Sequence, residues 1–359
     1  MSELVLQYKS DPQKALERME AWWNREILDR PTIQVYAPKL QEQRIPYPVK
    51  QHANLRDRWM DVEYQVECAN ANCANTYYAG EAMPTYMPNL GPELLTAAYG
   101  APMQFMESTS WTEPILKDWA DLPGLTMDPH NEYVQAMLDM TKLALETGKE
   151  KYLVGHTDIH PGGDLAASLR DGEQFAMDLA TQPELAQALM DHIKDAFFVF
   201  FALQARLFKE AGQTVQTSWL PLCTEGKYYI PSNDFSCMIS NKMFEQYFLT
   251  EIIRETEFLD RSIYHLDGPG ALRHLDTLLE IPSLGGIQWV YGAGNEPSTN
   301  WIDVLKRIQA KKKNIHMDIA TADLDILMEN LRPEGVMFIT WASSPEEADA
   351  VVKKVAGWK

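Results

Sequence analysis

Histidine and carboxylate side chains recur at alternate positions in two segments of the sequence. The first pair is His265 and Asp267, which closes an apolar run immediately before a Gly-Pro-Gly turn. The second segment carries His156, Asp158 and His160. Side chains two residues apart on a strand share a face, and imidazole and carboxylate groups together bind metal ions or move protons. Both segments are therefore candidate catalytic or metal-binding sites.

The two segments lie in a chain where short apolar runs alternate with helical stretches. Thr181 and Glu184 form a capping box, and apolar residues spaced by four predict a helix over residues 183–211. Six apolar runs are predicted to be strands, at residues 151–157, 214–220, 262–266, 286–291, 314–319 and 336–339. Because this alternation is typical of parallel sheets, the predicted fold class is α/β, a (β/α)8 TIM barrel over residues 111–359. Residues 1–110 are less regular, and we expect a helical and loop-rich N-terminal extension packed on the barrel.

Barrel geometry brings the polar residues that follow each strand to one C-terminal mouth. We expect five residues there to carry catalysis, namely His265, Asp267, Asp158, Asp234 and Glu225. The residues expected to bind substrate are His156, His160, Trp219, Asn233, Gln288, Trp289, Tyr291 and Trp341. The tryptophans lie at or near loop ends, where flat rings can line a pocket for a sugar or another ring-shaped ligand. The sequence thus predicts a polar pocket with aromatic walls.

Each of these assignments has a structural alternative. His156 could satisfy loop carbonyls beside Pro161, and Asp267 could form an Asx turn over Gly268. For any single tryptophan, capping the barrel core is the simpler role. The Gly-x-Gly segment at residues 292–294 lacks the third glycine of a dinucleotide fingerprint, so no Rossmann site is predicted.

The composition excludes several classes of partner. The chain has 51 acidic and 32 basic residues, a formal net charge of -19, so nucleic acid and anionic membrane surfaces are poor partners. We find no apolar run with the features of a signal peptide or of a membrane-spanning helix. The four cysteines are too few and too unevenly spaced for a disulfide framework. We therefore expect a cytoplasmic protein with reduced thiols.

Several segments in the same order resemble the uroporphyrinogen decarboxylase superfamily. In that superfamily an (I)SP-x-x-F segment precedes a helix, and a strand then ends in H-x-C-G or a relative. The corresponding segments here are residues 240–247, 264–268 and 287–289, together with the helix that opens at 182–184. The resemblance covers roughly residues 100–355, and it implies a (β/α)8 barrel, as the alternation of helices and strands also does.

The sequence departs from both chemistries of that superfamily. The decarboxylases carry an arginine-rich N-terminal segment that grips substrate carboxylates, and no such segment occurs here. The cobamide-dependent methyltransferases hold zinc through a His-x-Cys pair and a later cysteine, which makes a bound thiol a nucleophile. Here the pair is His265 and Asp267, and no cysteine follows Cys237. The chain resembles a divergent member nearer the methyltransferase branch.

This resemblance implies methyl transfer to or from a small-molecule substrate, linked to a corrinoid carried by a partner protein. The site would hold a divalent metal such as zinc through His265 and Asp267, with Glu225 or His156 as a third ligand. A second hypothesis is a carboxylate-based hydrolase or lyase that acts on a sugar-like molecule and needs no cofactor. A third is a binding protein without catalytic activity.

Overall fold

The computed structural model describes residues 3–359, which form a mixed α/β structure. The strands are β1 (Thr32–Pro38), β2 (Thr76–Gly80), β3 (Thr85–Tyr86), β4 (Met103–Phe105), β5 (Ser110–Thr112), β6 (Leu153–Val154), β7 (Tyr228–Tyr229), β8 (Arg261–Asp267), β9 (Gly286–Val290), β10 (Asn314–Asp318) and β11 (Val336–Trp341). The order in the main sheet is β2-β1-β11-β10-β9-β8-β7. All its pairs are parallel except β1 with β2. The predicted α/β class with a parallel sheet is therefore confirmed.

Four predicted strands lie side by side in this sheet, the runs at 262–266, 286–291, 314–319 and 336–339. These strands are buried on both faces, as parallel strands covered by helices are: in β8 the consecutive residues Ile263 and Tyr264 are both inaccessible to solvent. A run of apolar residues, rather than an alternating pattern, was the correct signal for them.

The two other predicted strands differ from expectation. The run at 151–157 contributes only Leu153 and Val154, which pair with β3 outside the main sheet. The run at 214–220 is not a strand, so that prediction is wrong. Gln213, the residue before this run, explains both results. Its side-chain oxygen accepts from Val154 N, and its side-chain nitrogen donates to Val154 O. A side chain thus takes the place of a neighbouring strand.

The helices surround these strands. They are α1 (Pro12–Trp23), α2 (Leu55–Met60), α3 (Val62–Asn75), α4 (Leu94–Ala98), α5 (Glu132–Thr147), α6 (Gly162–Arg170), α7 (Gly172–Thr181), α8 (Pro183–Ile193), α9 (Ala196–Ala211), α10 (Asn241–Tyr247), α11 (Leu249–Phe258), α12 (Gly268–Ala271), α13 (Leu275–Leu279), α14 (Ile302–Ala310), α15 (Leu324–Asn330) and α16 (Pro345–Val355). The helix predicted over 183–211 is divided at Lys194 and Asp195. Arg254 stabilises the break by donating to the Lys194 carbonyl and the Asp195 carboxylate.

Residues 1–110, which we expected to form an extension packed on the barrel, also contribute strands to the main sheet. β1 belongs to this segment, yet it pairs in parallel with β11 near the C-terminus, from Thr32 with Met337 to Tyr36 with Trp341. Part of the N-terminal segment is therefore built into the main sheet. Among the described residues, no helix is long and apolar enough to cross a membrane.

Close packing between β9 and β10 requires glycine at position 286. A Cβ atom added there would lie 2.5 Å from the Asn314 carbonyl oxygen and 2.8 Å from the Asn314 Cβ. We expect Gly286→Ala to lower the free energy of unfolding by about 1–3 kcal/mol, because backbone atoms on a neighbouring strand cannot move aside cheaply. Chemical denaturation measures the change.

Gly172→Ala is the matched control, since an added Cβ at Gly172 meets no atom within 4 Å. Gly172 is the first residue of α7, so the control should leave stability unchanged or slightly raised. Equal stability of the two variants would contradict the packing argument.

Candidate metal and acid–base site

The candidate site lies at the C-terminal end of β8, where the strand pairs with β9. The register places His265 directly opposite Gln288. The two side chains are joined by a hydrogen bond of 2.7 Å between His265 Nδ1 and Gln288 Oε1. Because an amide oxygen only accepts, Nδ1 carries the proton and the Nε2 lone pair is left free. The sheet register therefore fixes both the orientation and the tautomer of His265.

The free nitrogen of His265 faces two carboxylates. Nε2 lies 3.8 Å from Asp234 Oδ1, and one ligand atom from each of Asp234, His265 and Asp267 falls within 4.8 Å of the others. The third member comes from a short 3-10 helix, Asp234–Met238. Asp164 of α6 accepts from the backbone N–H groups of Asp234 and Phe235 and so holds the start of that helix. We name Asp234, His265 and Asp267 the β8 triad.

A second histidine lies next to the β8 triad. His160 Nε2 is 3.1 Å from Asp158 Oδ1, and its Nδ1 is 3.6 Å from Asp164 Oδ2. Ligand atoms of His160, Asp164 and Asp234 also fall within 4.8 Å of one another, so Asp234 is common to both groups. Burial lowers the pKa of His160, but the two aspartates outweigh this effect and raise the pKa well above its usual value. His160 is therefore an imidazolium at neutral pH.

The shared carboxylate is the most perturbed acid of the site. Burial, and secondarily the charge of Asp164, raises the pKa of Asp234 to about 6, although His265 and His160 oppose the shift. A carboxyl group with such a pKa can gain or lose a proton near neutral pH. It is also a group whose charge a bound cation would stabilise.

A cleft of 370 Å³ opens beside His265. It is lined by Tyr36, Thr85, Trp219, Leu220, Pro221, Gln288, Asp318, Ile339 and Trp341. Trp219 packs with its ring perpendicular to His265 at 5.2 Å, and Gln288 contacts both His265 and the cleft. Three residues expected to bind substrate, Trp219, Gln288 and Trp341, thus line one cavity next to the β8 triad.

His156 and Trp289 are not at the mouth. His156 is inaccessible to solvent and stacks on Phe201 at 3.9 Å, and burial lowers the pKa of His156 to about 3. It is a neutral core residue, because the strand ends at Val154 and the chain turns inward. Trp289 is also inaccessible and packs against Trp301, since it points to the opposite face of β9 from Gln288.

Glu225 lies at the wrong end of the sheet. It precedes β7, its backbone N–H donates to Glu20, and it shares a surface cavity with Asp260, which precedes β8. Active groups of parallel barrels lie at the other ends of the strands. Neither Glu225 nor His156 lies with His265 and Asp267, and Asp234 is the third residue of that cluster instead.

The remaining predicted residues lie near the site in supporting positions. Asn233 is 4% exposed, and its amide lies where a side chain on Gly163 of α6 would be. The Tyr291 hydroxyl donates to the backbone carbonyl of Asp318 at the end of β10. Sequence analysis missed Asp164, whose signal was a spacing of four from His160 at the start of a helix.

Comparison with known proteins gives a fold relationship. The sequence matches no protein-family model and no curated protein. The structure is similar to a methyltransferase from Methanosarcina mazei, with a TM-score of 0.60 and 12% sequence identity, over 95% of this chain and 98% of that chain. At this identity the comparison shows a shared fold, of the kind found in a methyltransferase.

Glu251 and Glu255 of α11 each have a buried carboxylate oxygen without a hydrogen-bond partner among the described residues. Glu251 Oε2 is close to Gly162 at the start of α6, and burial raises the pKa of Glu251 to about 8. When the pKa of an acidic group is higher in the folded than in the unfolded protein, the group contributes most to stability below its unfolded-state pKa. This contribution is lost as pH rises through the folded-state pKa. As pH rises from 5 to 9, we expect the free energy of unfolding of Glu251→Gln to increase by about 1–3 kcal/mol relative to that of the natural protein.

Denaturation at several pH values measures this gain. Glu257→Gln, at an exposed position of the same helix, is the control and should show no comparable trend. A Glu251→Gln difference that stays constant from pH 5 to pH 9 would show that the carboxyl group is not desolvated.

Proposed function

We propose that the protein is a methyltransferase-like enzyme of the uroporphyrinogen decarboxylase superfamily, with a divalent metal held by Asp234, His265 and Asp267. The observation that supports this proposal most directly is the β8 triad, whose ligand atoms converge within 4.8 Å at the C-terminal end of a parallel strand. The fold shared with a methyltransferase is consistent with it.

The residues of the β8 triad fit a metal. Gln288 accepts a hydrogen bond from His265 Nδ1–H, so Nε2 is the nitrogen that can face a metal, which is the arrangement that metal-binding histidines use. Asp234 Oδ1 is buried and has no hydrogen-bond partner among the described residues. One nitrogen and two carboxylate oxygens favour zinc or a harder divalent ion, with room for a further ligand.

A metal in this position would lower the pKa of a bound thiol or water and so make it a nucleophile. The protein residues then have separate tasks. Gln288 orients His265, and Asp164 positions Asp234 through the backbone N–H groups. The released proton would pass to solvent, because His160 already carries one and Asp234 is engaged as a ligand. A corrinoid on a partner protein is the proposed methyl carrier, and the substrate is a small molecule.

We also propose that the strands close into a barrel. Hydrogen bonds from Gly155 N to Tyr86 O and from His156 N to Thr217 O link β6 to β3 and to the segment at 214–220. Ser232, just after β7, bridges in parallel to His265. The first two contacts place β3, β6 and residues 214–220 side by side, and the third lengthens the β7–β8 pair, which supports a circular arrangement.

A carboxylate-based hydrolase or lyase is the second candidate. The observation that favours it is Asp234, whose pKa of about 6 suits a general acid. Asp267 lies beside it and would then be the base. This function needs no metal, so metal binding separates the two candidates.

The metal hypothesis predicts one strongly bound divalent ion per chain. Metal analysis of purified protein, followed by zinc titration after chelation, tests it. His265→Ala and Asp267→Asn should each weaken binding by more than about 100-fold, because each removes a ligand. His130→Ala changes an exposed histidine away from the site and should bind zinc normally.

Gln288→Met provides an independent test of orientation. The variant keeps the volume of the side chain but has no amide oxygen to accept a hydrogen bond from Nδ1–H. Because His265 is then less well oriented, zinc affinity should fall by about 10- to 100-fold, with little change in unfolding temperature. Titration calorimetry measures the affinity. If zinc binds as tightly as before, or if no variant above affects binding, the carboxylate-based function becomes the better explanation.

A further inference from the structure

The cleft beside His265 combines aromatic rings with a single charged group. Tyr36 and Trp341 are cross-strand neighbours of β1 and β11, and their rings are nearly parallel, with centroids 6.2 Å apart. Trp341 is 59% exposed, an unusual state for a tryptophan that has no structural need to face solvent. Trp219 lies between the cleft and His265. The rings therefore form a wall that leads toward the β8 triad.

The charged group is Asp318, at the end of β10. In residues 3–359 its backbone carbonyl accepts from Tyr291, but its carboxylate has no hydrogen-bond or ion-pair partner. Burial alone raises the pKa of Asp318 to about 6, with no neighbouring charge to oppose the shift. The side chain is exposed at the surface of the cleft, so its charge is open to an incoming cation.

We propose that this cleft binds a small quaternary or tertiary ammonium group, with Tyr36, Trp219 and Trp341 contacting the cation and Asp318 supplying the opposite charge. Aromatic rings attract such cations through their quadrupoles, and methylated ammonium groups are weakly hydrated enough to leave water. The net charge of -19 adds a general attraction for cations. This inference deepens the proposed function by naming the chemical class of its ligand. Only the reaction of the bound ligand rests on that function; the binding itself does not.

Other ligand classes fit less well. The cleft lining, all of it within the described chain, contains no Lys, Arg or His, so an anion would meet only Asp318. A sugar needs many hydrogen-bond partners, whereas the lining offers few polar side chains, and Gln288 Oε1 is already engaged by His265. A volume of 370 Å³ is near the lower limit of small-molecule sites, which favours a compact ligand.

The test is calorimetric titration with tetramethylammonium chloride and with 2,2-dimethylpropan-1-ol, a neutral molecule of similar shape. The protein is first treated with chelator, and sodium chloride keeps the ionic strength constant. We expect the cation to bind at least about tenfold more tightly than the alcohol. Asp318→Asn should abolish this preference, and Trp341→Ala should weaken cation binding by about 2- to 30-fold.

Two further variants keep the test decisive. Trp341→Phe retains an aromatic ring and should restore most of the affinity lost in Trp341→Ala. Trp111→Ala removes another exposed tryptophan, outside the cleft, and should bind like the natural protein. Equal affinity for the cation and the alcohol, no detectable cation binding, or no effect of Asp318→Asn would each overturn the proposal. Because the metal has been removed, these outcomes do not depend on whether the β8 triad binds one.

Discussion

The register between β8 and β9 is the constraint on which the site depends. It places Gln288 opposite His265, and the resulting hydrogen bond fixes which nitrogen of the imidazole is free. A shift of β9 by one residue would turn Gln288 to the helix-facing side of the sheet, where Trp289 now lies, and would leave His265 without this partner. The close approach of Gly286 to Asn314 fixes the next strand pair in turn. The packing of the sheet thus determines the geometry of the triad.

Site residues can be predicted best from the sequence where the reactive side chains lie a few residues apart on a single regular strand. The pair of His265 and Asp267 was visible because both lie on one regular strand, where a period of two holds. The same spacing misled at His156, because the strand that precedes it stops at Val154. His156 then enters the core and stacks on Phe201, whereas His160 reaches the site. Alternate residues share a face only where the strand itself continues.

The third ligand position could not be derived from local pattern. Asn233 and Asp234 look like ordinary turn residues, and their position depends on Asp164, which holds the following backbone from a different helix. Glu225 was as good a candidate by sequence, since it lies in the same connection between helix and strand. Only the direction of the chain decides between them: Glu225 precedes β7 and Asp234 follows it. The two-residue strand β7 is not among the strands predicted from the sequence, so residue type alone could not make that choice.

The charges at the site explain why proton and metal would compete for Asp234. Asp158, Asp164, Asp234 and Asp267 surround two histidines, of which His160 carries a positive charge at neutral pH. Burial, assisted by the charge of Asp164, raises the pKa of Asp234 to about 6, so below this pH a proton neutralises it. Above this pH the unpaired charge favours a divalent cation, and metal binding would displace the remaining proton.

Asp318 in the neighbouring cleft also lacks a counter-charge, but aromatic rings rather than metal-ligating atoms surround it. Under the two proposals the acidic groups would select different cations, because nitrogen and oxygen donors that converge favour a metal ion, whereas aromatic rings favour an organic cation.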